Sequence, residues 1–243
     1  MKARSKIMKI TLLTGKTFDI SESVGMDIKV VPSRTGRKLS LHIDSKERRP
    51  VLSVPRFCSR KQAISFVTEH MDWIINTLGR LPQLQYFTDG SVFSLFGETL
   101  TVKHCPSERG GVWRDGDFLC VSGGAEFLHR RIKDYIKTEA AKIFYEKSRL
   151  LAQKIGCPLK GVSIKDTKSR WGSCSSLSHI NYSWRIALAP LATINYLMAH
   201  EVAHLKHPDH SAAFWQCVAN LEPDWQEGHD WLKKHGKLLY AYP

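Results

Sequence analysis

The chain has 243 residues, 42% of them hydrophobic and 24% charged, enough to bury a sizeable core in one large domain or two small ones and too apolar to be disordered throughout. No apolar run approaches the roughly 18 residues that a membrane helix needs, so no membrane partner is expected. The net charge of +13 is concentrated in two places, with 14 basic and 5 acidic side chains in residues 1–60 and 12 against 4 in residues 128–170, a field that attracts polyanions such as nucleic acid or nucleotides.

The N-terminal Met1–Lys6 is basic, and Lys9 and Lys16 interrupt the apolar stretch that follows, so no signal-peptide core is expected. Short strands are expected between Asp27 and Val54: residues 38–43 alternate polar and apolar, and Val51–Val54 supply a partner. Ser59 should cap a helix reaching Leu78, with Ile64, Val67, Met71, Ile74, Ile75 and Leu78 as its apolar stripe. Residues 89–122 read as further β-structure broken by glycine pairs, followed by one long basic amphipathic helix from about Glu126 to Ile155. A boundary near 125 would divide an N-terminal β/α region (1–125), a candidate for substrate or anion binding, from a C-terminal domain (126–243).

Beyond that helix the sequence predicts strands over Gly161–Asp166 and His179–Leu188, then helices over Leu191–Lys206, from Ser211, and from Pro223 to Gly236. The expected class is α+β. The six cysteines, at 58, 105, 120, 157, 174 and 217, form no C-x-x-C pair, which argues against a disulfide framework and for a reducing, cytoplasmic setting.

The segment His200-Glu201-Val202-Ala203-His204 is an H-E-x-x-H motif on a predicted helix. Residues four apart lie one turn up on the same face, so both imidazoles can reach one ion. Glu201 faces the same groove without crowding the ion and can act as general base on its bound water. A catalytic zinc takes three protein ligands and keeps one position open. Two histidines can supply the third ligand: His207, at the frayed helix end, and the favoured His210, beyond Pro208, where the chain has turned and can return to the ion.

The runs Arg170-Trp171-Gly172-Ser173-Cys174-Ser175 (preceded by Ser169), Ile180–Arg185, His200–Leu205 and His210–Trp215 together resemble the YgjP-like metallopeptidase family, related to the SprT and WLM zincin groups. Weaker N-terminal points include Arg34–Leu41, Val54-Pro55-Arg56 and Met71–Ile74. The first 26 residues extend beyond the usual pattern, and Thr35 and Gly36 interrupt an arginine run that is often denser. The resemblance implies a zincin-like core, an active-site helix against a small sheet with an edge strand along the cleft. It also implies His210 as third ligand and one Zn2+ per chain. The leading reading is a zinc metallopeptidase acting on peptide or protein. One alternative is a nucleoside triphosphate phosphohydrolase using Mg2+ or Mn2+. Another is a DNA-associated protease of the SprT/WLM kind, with nucleic acid held by segments 1–60 and 128–170.

The remaining marked residues carry paired expectations. Arg170 and Trp171, on the approach to the cleft, could bind substrate or an oxyanion, or could serve an ion pair and the core. Cys174 reads as a small packing residue, Trp184 and Arg185 as packing and a structural ion pair, and Phe214 and Trp215 as anchors of the third-ligand helix. Glu222, Asp224 and Glu227 are candidates to receive a ligand imidazole's second N–H.

Overall fold

The computed structural model describes residues 19–33, 36–44, 47–167 and 170–243. The N-terminal stretch through Lys16, residues Arg34 and Thr35, and Ser169 lie outside them. Among the described residues are seven α-helices and three small sheets, so the class is α+β. No helix there is long and apolar enough to cross a membrane.

The chain forms two compact units that divide between Leu81 and Pro82. In the first, a one-turn helix α1 (Ser21–Val24) precedes strands β1 (Lys29–Pro32), β2 (Ser40–Asp44) and β3 (Arg49–Val54). The sheet order is β1-β3-β2, with β1 parallel and β2 antiparallel to β3. Helices α2 (Arg60–Glu69) and α3 (Met71–Gly79) complete the unit. Its core gathers Ile20, Ile28, Val30, Leu52, Val54, Ala63, Val67 and Ile74.

Ser59 caps α2 as its sequence predicts. Its hydroxyl accepts from the Gln62 amide at 3.2 Å while its own amide donates to the Gln62 side chain at 2.9 Å, the reciprocal pairing of a capping box. The single helix expected through Leu78 is instead two. At His70 the backbone leaves helical geometry, and the His70 imidazole bonds to the Phe66 carbonyl at 2.8 Å. The break re-phases the stripe: Val67 and Ile74 are buried, but Ile75 is 54% exposed.

The second unit begins with β4 (Val92–Leu95), β5 (Glu98–His104), β6 (Val112–Asp115) and β7 (Phe118–Val121), in the order β4-β5-β7-β6. Helix α4 (Leu128–Lys154) follows a short 3-10 turn, Ala125–Phe127. It ends where Gly156 takes a left-handed φ of 67°, the usual glycine stop. Then come β8 (Gly161–Lys165), β9 (Gly172–Cys174) and β10 (His179–Ser183), with β10 central, parallel to β8 and antiparallel to β9. Helices α5 (Leu191–Ala203), α6 (Ala212–Leu221) and α7 (Trp225–His235) close the unit.

Three sequence expectations change here. The boundary expected near 125 falls inside one core, because Phe93, Leu100, Val102 and Leu119 pack in the same cluster as Ile132 and Ile136 of α4. The strand expected over His179–Leu188 stops at Ser183; Trp184–Leu188 is a 3-10 helix, and the Phe96 amide donates to the Ala187 carbonyl there at 2.7 Å. The connection between the two expected strands contains a third, β9.

Trp184 is fully buried and Arg185 nearly so. The Arg185 guanidinium binds Asp166 at 2.5 Å and the Tyr242 carbonyl at 2.8 Å, bearing out packing and a structural ion pair. A buried guanidinium without its carboxylate is costly, so Asp166→Ala should lower the second unit's unfolding free energy by about 3 kcal/mol, read as a lower urea midpoint at unchanged slope.

Candidate metal centre

Helix α5 starts after Pro190, which needs no amide partner at a helix start. Most of its surface is covered, including Thr193, Tyr196, Leu197, Met198, Glu201 and Val202. Its last turn carries His200, and His204 follows at its C-terminal cap. The chain then turns through Pro208, which brings His210 back to the same place just before α6 begins. One ring nitrogen from each of His200, His204 and His210 lies within 4.8 Å of the others. The Nε2 atoms of His200 and His210 are 3.2 Å apart. Two imidazole nitrogens on one tetrahedral zinc would be separated by about 3.3 Å, so the donor set fits such an ion.

Phe214 is fully buried, and its ring lies 5.0, 4.6 and 4.7 Å from the rings of His200, His204 and His210. It is the common support of all three. Trp215 approaches His200 and His210 at about 6 Å and stacks on Trp225 at 4.7 Å.

Hydrogen bonds orient the rings. His204 Nδ1 lies 3.0 Å from the His207 carbonyl. A carbonyl can only accept, so the proton sits on Nδ1 and the Nε2 lone pair is left for an ion. His207 therefore contributes its backbone, and His210 is the third imidazole of the cluster. The Tyr196 hydroxyl lies 3.4 Å from His200 Nδ1. These two groups lie beside the Nδ1 atoms of His204 and His200, and no hydrogen bond from either ring to Glu222, Asp224 or Glu227 occurs among the described residues. Tyr196 escaped the sequence reading, although its place one turn before His200 on one face was a usable signal.

Burial, reinforced by the charges of His204, His210 and His229, holds His200 down to about 3; burial also lowers His204. Both rings are thus neutral at physiological pH, the form that can ligate.

Glu201 is buried between α5 and the edge strand β9. A Cβ at Gly172 would lie 2.3 Å from Glu201 Oε1, so the carboxylate occupies space that only glycine leaves free. Glu201 Oε2 has no hydrogen-bond partner among the described residues. Burial pushes this carboxyl up to about 8, opposed by the charge of Arg170. A cation in the adjacent histidine cluster would favour its ionised form.

Of the other expected site residues, Arg170 is exposed and acts on Glu201 through its charge. Trp171 stacks on Tyr240 at 4.6 Å, and its carbonyl accepts from the Ser183 amide at 2.7 Å, so its observed contacts are packing contacts. Burial, with help from Glu201, pushes the Cys174 thiol up to about 11; protonated, it is a poor nucleophile and ligand.

The family model described as YgjP-like, metallopeptidase domain, matches residues 37–235. The α5 helix laid against the small β8-β10-β9 sheet fits a zincin-like core. Comparison with curated proteins gives no match, and comparison with solved structures gives none.

Two substitutions separate the parts of the site. His210→Ala should weaken zinc binding by more than the roughly 10–100-fold that losing an outer hydrogen-bond partner costs, measured by competition with a chromophoric chelator. Gly172→Ala should leave zinc affinity intact and displace the Glu201 carboxylate, visible in a crystal structure of the variant.

Proposed function

Because the chain belongs to the YgjP-like metallopeptidase family, we propose that it is a zinc-dependent peptidase with His200, His204 and His210 as ligands and Glu201 as general base. The observation that carries this reading is the cluster of three imidazole nitrogens within 4.8 Å beside a buried carboxylate whose second oxygen has no described partner. A zinc ion held there would polarise water and the scissile carbonyl. Glu201 takes a proton from the attacking water as its oxygen bonds to the carbonyl carbon. It passes that proton to the amide nitrogen as the C–N bond breaks. Arg170 offers positive charge for the developing oxyanion or a substrate carboxylate. Phe214 and the His207 carbonyl hold the ligand rings in place.

An all-imidazole donor set favours zinc over Mg2+ or Mn2+, which weighs against the phosphohydrolase reading. The DNA-associated reading rests on analogy with the SprT and WLM groups and on the charge of segments 1–60 and 128–170. Six free thiols support a reducing, cytoplasmic setting.

Glu201→Gln should retain one zinc per chain and lose about 10³-fold in cleavage of an unfolded protein, with metal content and hydrolysis measured on the same preparation. Full activity in that variant would rule out Glu201 as the base.

A further inference from the structure

The first unit contains a groove of about 700 Å³ that the metal site does not involve. One wall is a face of α2: Gln62, Ser65, Phe66 and Glu69 all line it, at the i, i+3, i+4, i+7 spacing of a single helical stripe. Leu39 and Pro55 contribute further apolar surface to the lining. Phe66 is held by its ring contact with His70 at 4.4 Å. On the rim, Phe57 is 92% exposed, an unusual exposure for a large aromatic.

The charges of the groove are polarised. Arg56 and Phe57 stand just before the start of α2, and Arg37 also lines the groove. No ion pair of either arginine with a carboxylate occurs among the described residues. Glu69 lies at the other end of the α2 face, about 10 Å along the helix from Gln62, its carboxylate accepting from the Ser65 hydroxyl at 2.8 Å.

We propose that this groove is a docking site for an extended polypeptide segment in which an acidic residue precedes or follows a large apolar side chain by two or three positions. The acidic group meets Arg37 and Arg56, and the apolar side chain packs on Phe57, Phe66 and Leu39. The span of the α2 face matches about three extended residues. A single-stranded nucleic acid also suits arginine beside an exposed aromatic. It carries a phosphate at every nucleotide, however, and would set one of them against Glu69. A polypeptide can place its charge beside Arg56, away from Glu69. Docking is independent of whether the bound segment is cut.

The test uses the full chain carrying Glu201→Gln, so that a bound peptide is not consumed. Fluorescence anisotropy would follow a short labelled peptide, rich in Gly and Ser with a central Glu-Glu-Phe-Leu. Controls are the same peptide with Lys for both Glu, and labelled oligothymidylate. The acidic peptide should bind, and Arg56→Glu and Arg37→Glu should each weaken it about tenfold or more. Phe57→Ser should weaken it comparably. These side chains are exposed, so circular dichroism should show the variants folded. Equal binding of the Lys peptide, or unchanged affinity in the arginine variants, would overturn the proposal. So would tighter binding of oligothymidylate through the same arginines, which would assign the groove to nucleic acid.

Discussion

Glu201 reaches the interior because Gly172 presents no side chain where the carboxylate lies. That close approach of β9 to α5 constrains everything around it. It fixes which face of α5 looks onto the edge strand, and so the direction in which His200 and His204 project. Once α5 is so placed, the turn through Pro208 has one task, to bring His210 back over Phe214. The site therefore depends on a contact between a strand of three residues and a helix. Charge matters at a second stage: burial lowers the affinity of His200 and His204 for a proton and resists ionisation of the Glu201 carboxyl.

The gathering of His200, His204 and His210 was legible because it is local. The H-E-x-x-H spacing needs only the pitch of a helix, and the third histidine needs only a turn shortly after it. Its supports were less legible, since they are contacts between distant segments. Phe214 could be placed in the core from sequence, but its position beneath all three rings depends on how α6 packs on α5. Gly172 looked like part of a loop because a strand of three residues has no measurable periodicity. Tyr196 was hidden in a helix so extensively buried that its apolar residues form no narrow stripe.

The same distinction explains the fold. The cap at Ser59 is where it was expected, and the long helix stops within a residue of the expected Ile155. The break at His70 was not foreseen, because a histidine bonding back to the Phe66 carbonyl leaves no compositional mark. The unit boundary was misplaced for a related reason. The long basic helix looks like the start of something new, yet its buried face completes the core of the sheet before it. Composition marked where charge changes, whereas the boundary follows where apolar contacts cease to be shared.

A second glycine contact acts on α5 from its other end. A Cβ at Gly228 would lie 2.4 Å from the Ala192 carbonyl and 2.7 Å from the Tyr196 side chain, so α7 sits backbone-close over the first turns of the helix that Gly172 receives near its last. A helix seated this tightly at both ends has little freedom to slide or roll, since packed interiors shift between discrete arrangements and do not deform smoothly. The reactive groups are thus set in advance of any substrate. Any change of shape at this centre would therefore have to begin in the turn that carries His210, and not in α5 itself.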